Sequence, residues 1–195
     1  MKTITSNILL FLASLFFLAW SQAVSDVPLS IKSGSVKLSG GSTLHDWSAS
    51  TSNISGTFEV DAGQFDKPVS EMTSLFKKTE VRIPVTSLHS GTKGLDENMY
   101  EALKSGQYSN IKYSLLESSV SGGNMWIKGN LTIAGVQKTI EMNVKINKDN
   151  NGNLKISGTK DLYMTDFGIE PPSVMFGTIK ADNQVTISFN LTLGK

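Results

Sequence analysis

Past residue 27 the chain alternates apolar and polar side chains almost one for one, the spacing that puts every second residue of an extended strand on one face. Val81, Ile83 and Val85 alternate with Glu80, Arg82 and Pro84, and Ile111, Tyr113 and Leu115 with Lys112 and Ser114. Met125, Ile127, Gly129, Leu131 and Ile133 continue the pattern, as do Ile140, Met142, Val144 and Ile146, and finally Val185, Ile187, Phe189 and Leu191. Strands are predicted near residues 29–38, 44–51, 54–62, 80–87, 110–118, 124–133, 139–147, 153–165 and 184–193. No βαβ alternation interrupts them, so the fold class is all-β.

Turn chemistry falls between these runs. Asn151-Gly152 is a strong hairpin signal and should pair 140–146 with 154–158. Residues 134–138 and 181–184 read as weaker turns of the same kind. One stretch breaks the alternation. At 96–104, Asp96 stands as a cap, acids fill the first turn, Met99 and Leu103 lie four apart and Gly106 follows, which predicts a short helix between strands. A meander of this kind closes economically into a single eight-stranded antiparallel up-and-down barrel, a size that encloses one small ligand. A two-sheet sandwich is the competing arrangement. An outer-membrane barrel is disfavoured by the charged outward face of Glu80, Arg82, Lys112, Lys128, Glu141, Lys145 and Lys155, and by the final Gly194-Lys195 in place of an aromatic.

Composition narrows the chemistry. The 195 residues contain no Cys, which removes disulfides, thiolate nucleophiles and Cys-ligated metals, and a lipoprotein anchor with them. A formal charge of +1, with no basic cluster, excludes a nucleic-acid partner. Lys2, the apolar run 8–18 and Ser21-Gln22-Ala23 form a signal peptide with cleavage expected after Ala23. Residues 1–23 are thus a leader and 24–195 one exported domain, periplasmic or secreted. Sequons at Asn53, Asn130 and Asn190 bear on a eukaryotic secretory pathway alone.

Catalytic signatures are absent: no nucleophile elbow, no Walker loop, no dinucleotide fingerprint. The two histidines, His45 and His89, have no metal-ligand spacing, and His45 and Asp46 point to opposite faces of a strand. Asp149-x-Asn151-x-Asn153 resembles the start of a calcium loop, but Leu154 stands where Gly is required. His45 and Trp47 share a face and would offer one polar contact and one flat wall near a barrel mouth, or else simply pack. Gly129 and Gly158 on the inward parity leave room inside the barrel or mark bends. The inward residues Phe58, Ile83, Val85, Tyr113, Met125 and Leu131 would form the wall of a cavity, joined by Met142, Ile156, Ile187 and Phe189. Met99 and Leu103 would face it from the helix, which would cover one end.

Several motifs, in order along the chain, resemble the YceI-like domain. They are Ser42-Thr-Leu-His-Asp-Trp47, Ile54-x-Gly56-x-Phe58, Val81-x-Ile83-Pro-Val85 with Ser87-Leu88, Gly94-Leu-Asp96, Tyr108-Ser-Asn-Ile111, Gly129-Asn-Leu-Thr-Ile-Ala-Gly-Val136 and Asp166-Phe-Gly-Ile169. The resemblance implies an extended lipocalin-like barrel holding a long polyisoprenoid in its interior. Quinones, prenols and prenyl phosphates are the candidate cargoes, with the near-neutral chain favouring a quinone or alcohol. The expected protein is a noncatalytic carrier with no cofactor beyond that bound lipid, in transient contact with a membrane. Its oligomeric state, a homodimer included, is left open. Two rival readings are an exported enzyme using His45 or His89 as general base on small amphiphiles, and a structural module whose barrel is filled by its own side chains.

Overall fold

The computed structural model describes residues 26–195, so the leader and its expected cleavage after Ala23 lie outside the described residues. The strands are β1 (Asp26–Ser42), β2 (Trp47–Thr51), β3 (Ser55–Asp61), β4 (Phe76–Pro84), β5 (Asn110–Ser121), β6 (Asn124–Ile133), β7 (Val136–Lys148), β8 (Leu154–Tyr163), β9 (Ser173–Val174) and β10 (Ile179–Gly194). Two helices, α1 (Ala62–Phe65) and α2 (Lys93–Ala102), interrupt them.

Neighbouring strands pair antiparallel in the order β2-β1-β3-β4-β5-β6-β7-β8-β10-β9, and β1 also pairs with β10, which closes the sheet. Both β2 and β3 pair with β1, β2 from Gly40↔Trp47 to Val36↔Thr51 and β3 from Leu29↔Phe58 to Asp26↔Asp61. They are two pieces of one stave. With β9 a short hairpin arm on β10, the wall is a closed eight-stranded antiparallel barrel.

Tight turns set the register where the sequence supplies left-handed backbone. Ala134 and Gly135, at φ 49° and 82°, join Ile133 directly to its partner Val136. In the turn after β7, the Asp149 carboxylate accepts from the backbone N–H groups of Asn151 and Asn153, both at 2.9 Å, while Gly152 takes φ 79°. Three sequence expectations need correction here. Residues 181–184 are not a turn but continue β10, which absorbs them by a register shift between Gly40 and Ser42 of β1. The strand expected from 44 starts at Trp47, because the Ser42 hydroxyl receives the N–H groups of Leu44 and His45 and bends the chain. The helix begins at Lys93 with Thr92 as its first flanking residue, so Asp96 lies within the first turn and does not cap it.

Two apolar clusters stack inside the barrel. One gathers Phe58, Val60, Leu75, Ile146, Leu154 and Leu193, and side chains of the 62–75 connection, Phe65 and Met72 among them, pack into it. The Lys148 ammonium pins the connection by donating to the carbonyls of Phe65 and Lys67. The other cluster lies under α2 and includes Val85, Leu88, Leu103, Ile111 and Phe167.

The wall is not hydrogen-bonded all the way round. β7 and β8 pair only from Val144↔Gly158 to Lys148↔Leu154, so residues 136–143 and 159–163 diverge and leave a slit. The 3-10 turn Met164–Phe167 packs across its upper end, against β7.

Candidate functional site

The alternation that builds the strands turns one side chain in two into the barrel, and the inward set is almost wholly aliphatic or aromatic. Those side chains stop short of filling it. An outer chamber of about 300 Å³ lies under α2, and an inner one of about 140 Å³ lies deeper in the barrel. They meet at Leu38, Ile111, Leu162 and Ile187, which line both. The two chambers adjoin at these side chains as one apolar space, the tunnel of the barrel.

Of the side chains singled out in the sequence, Phe58, Ile83, Tyr113, Met125 and Leu131 line the inner chamber, as do Met142, Ile156, Ile187 and Phe189. His45, Trp47, Met99 and Leu103 line the outer chamber. Val85 lines neither. It opens the 3-10 turn Val85–Ser87 after β4 and is packed in the core beneath α2, because the chain leaves the wall one residue earlier. Trp47 lies opposite Gly40, its ring over the space a Cβ would take, and its indole N–H donates to the Gly41 carbonyl at 3.1 Å. His45 is exposed at the bend, with Nδ1 2.7 Å from the Asp46 carbonyl. A carbonyl only accepts, so Nδ1 carries the proton.

The inward glycines do not open free space, which corrects the first of the two expectations for them, while Gly129 lies where β5 shifts register between Leu115 and Glu117. A Cβ on Gly129 would collide with the Tyr113 phenol, and one on Gly158 would lie 2.8 Å from both Phe189 Cζ and Val144 Cγ1. The neighbouring rings lie in the gaps these glycines leave, an arrangement that pins ring orientation across a sheet. The Tyr113 hydroxyl is buried with no hydrogen-bond partner, and burial pushes its pKa up to about 12. Thr79 Oγ1, on a side chain lining the same chamber, also lacks a partner.

α2 is strapped down at both ends. Asp96 accepts from the Ser90 N–H at 2.7 Å and the Ser90 hydroxyl at 2.6 Å, and these bonds hold its carboxyl below the ordinary value. The Tyr100 hydroxyl donates to the Leu88 carbonyl at 2.6 Å. His89 Nδ1 lies 3.4 Å from Asp96, an orientation a general base would use, yet His89 lines neither chamber. Among the described residues no group of three or more His, Asp or Glu is placed to hold a metal ion.

Sequence reasoning missed Lys160. It continues the inward parity of Leu154, Ile156 and Gly158, sits opposite Ile187 of β10, and lines the inner chamber. The signal was legible as a cation at an apolar position of a strand read only for its apolar members.

A closed antiparallel barrel around a lined, lipophilic interior defines a barrel of the lipocalin-like kind. The model of the YceI-like domain matches residues 32–193, and the chain belongs to that family. Solved structures share the fold. BcnA of Burkholderia cenocepacia superposes with a TM-score of 0.66 at 14% identity, over 83% of this chain and 96% of that one. A polyisoprenoid-binding domain from Saccharophagus degradans, implicated in plant cell wall breakdown, gives 0.59 at 10% identity, over 85% and 97%. The Campylobacter jejuni YceI protein gives 0.57 at 18%, over 73% and 82%. No curated protein matches the chain.

Proposed function

We propose that this protein is an exported, noncatalytic carrier that holds one long isoprenoid lipid in its tunnel. The observation that carries the reading is the tunnel itself: two abutting chambers lined by aliphatic and aromatic side chains, in a barrel whose own residues leave the interior unfilled. A structural module would fill that volume, since native interiors pack with few voids larger than a water molecule. An enzyme would need an oriented base at the substrate: His89, the histidine with a carboxylate beside it, lies outside the cavity, and His45, which lines the outer chamber, has its Nδ1 on the Asp46 carbonyl and no carboxylate within 4 Å among the described residues. The likeness to a polyisoprenoid-binding domain supports a linear apolar ligand. Its affinity would come from about 25 cal/mol per Å² of apolar surface removed from water.

The cavity rim supplies a surface for collecting such cargo. Leu44 is exposed at the bend before β2 and lines the outer chamber. The Thr43 N–H donates to the Lys180 carbonyl at 3.0 Å, which ties that bend to the β9–β10 hairpin. At the hairpin tip Met175 and Phe176 are exposed at φ 52° and 55°, a backbone region that L-residues seldom occupy. An apolar tip presented in this way is suited to dip into a bilayer beside the mouth.

The test is organic extraction of protein purified from its native envelope, with mass spectrometry of the extract against a delipidated control. A stoichiometric isoprenoid supports the carrier. A protein that emerges empty, and takes up neither quinone nor prenol afterwards, is not a carrier of this kind.

A further inference from the structure

The chain carries no Cys, so methionine thioethers are its only sulfur, and they differ sharply in access. Met72 and Met125 are 2% exposed, whereas Met175 is 68% exposed. Met99 and Met164 are half-buried and line the outer chamber, while Met125 and the half-buried Met142 line the inner one. An oxidant must reach a lone pair on sulfur, so oxidation of a thioether follows its exposure. Met175 is the sulfur that an oxidant in solution meets first.

Its position gives that chemistry a consequence. Met175, Phe176 and Gly177 take left-handed backbone in succession, at φ 52°, 55° and 88°, and the Thr178 N–H closes the turn onto the Met175 carbonyl at 3.2 Å. Such a run favours glycine, yet only its third position has one. The arm below the tip is fastened to the bend before β2. The Thr43 hydroxyl donates to the Thr178 carbonyl and accepts from the Lys180 N–H, both at 3.1 Å. Nothing covers the tip itself: a Cβ on Gly177 would meet no atom within 4 Å, and Phe176 is fully exposed. A change of polarity at Met175 therefore leaves the barrel untouched and alters only what the tip enters.

Resting on the bilayer contact read above, we propose that Met175 is an oxidation site at which sulfoxide formation releases the barrel mouth from the membrane. With hypochlorous acid as the two-electron oxidant, an S–O bond forms as the O–Cl bond breaks. Chloride and the hydroxyl proton leave, and sulfur is oxidised from thioether to sulfoxide. The new oxygen is a strong hydrogen-bond acceptor, and burying it among acyl chains that offer no donor is unfavourable. Phe176 stays apolar, so the contact weakens without vanishing. A methionine sulfoxide reductase supplied with a dithiol reverses the step: the oxygen leaves as water and the dithiol closes to a disulfide.

The experiment treats the purified protein with limiting hypochlorous acid, locates the added oxygen by peptide mass spectrometry, and measures co-sedimentation with phosphatidylglycerol vesicles before and after. Met175 should gain oxygen several-fold faster than any other methionine, and the oxidised protein should co-sediment several-fold less at an unchanged melting temperature. Methionine sulfoxide reductase with dithiothreitol should restore the binding. Met175→Gln, polar from the start, should bind as weakly as the oxidised wild type, and Met175→Leu should show the same binding before and after oxidant. A first oxygen on another methionine, an oxidised wild type that binds as before, or a Met175→Leu protein that still loses binding on oxidation overturns the switch and leaves the bilayer contact standing. Failure of the untreated protein to co-sediment overturns both, while organic extraction still reads the carrier independently.

Discussion

Tyr113 carries a polar atom into a place where nothing receives it. Its hydroxyl is buried and unpartnered, so Tyr113→Phe removes an unsatisfied donor and should leave the melting temperature unchanged or raise stability by up to about 1 kcal/mol. The pH dependence has a definite sign. Burial raises the folded-state pKa to about 12 from an unfolded value of 10.0, so the unfolded chain releases this proton first. Stability from the neutral phenol is therefore complete below pH 10 and is lost as pH rises through the folded value. Thermal melts between pH 9 and 12 should fall less steeply for Tyr113→Phe than for the wild type. The inward glycine of β8 behaves in the opposite way. Gly158→Ala drives a Cβ into Phe189 and Val144 and should cost about 1–3 kcal/mol in denaturant unfolding, the range for overpacking a filled core. An unchanged midpoint would mean that the Phe189 ring is free to swing away. Neither effect is visible in a one-letter pattern. Parity tells which way Gly158 points, but not that a ring from the next strand already lies over it.

Elements were more legible than residues because their signals are periodic and repeat. The alternation from Met125 to Ile133 and from Ile140 to Ile146 predicts two paired strands, and β6 and β7 pair through that region, Ile127 opposite Met142. Where the signal was a single local residue, tertiary contacts overrode it. Asp96 has the chemistry of a helix cap, but its carboxylate is drawn to Ser90 in the preceding loop, and the helix starts a turn earlier. Asn183 sits in a turn-like run, yet it continues β10 and clasps the 3-10 turn that follows the neighbouring β8 by donating to the Thr165 hydroxyl at 2.9 Å. The role of α2 as a cover follows from its straps. Asp96→Asn should loosen the Ser90 contact, and amide exchange within α2 should quicken relative to the barrel strands. A substitution that left α2 protection unchanged would show that Tyr100 alone holds the helix. At the mouth, Phe176→Ser with Met175→Ser should lower co-sedimentation with phosphatidylglycerol vesicles several-fold without shifting the melting temperature, since both side chains are exposed.

For the molecule as a whole, the tunnel predicts that cargo is part of the stability. A ligand at one hundred times its dissociation constant adds about 2.7 kcal/mol. Delipidation should therefore lower the melting temperature by about 5–10 °C in a domain of this size. Differential scanning calorimetry before and after extraction reads this directly, and coincident traces would mean that the extracted lipid was not held inside. Met142→Glu should remove the difference while preserving far-ultraviolet circular dichroism, because Met142 is half-exposed along the inner chamber beside the slit and a carboxylate there can reach water.

The seam between β1 and β10 joins Ser30 to Gly194, almost the full span of the described chain. Such a contact forms only after every intervening residue exists, and barrels dominated by distant pairings fold slowly, in milliseconds to seconds. Without that last strand the barrel would be an open sheet with two bare edges and no interior. The cavity therefore requires the C-terminal strand, and a chain that lacks it would have no enclosed interior to offer a ligand.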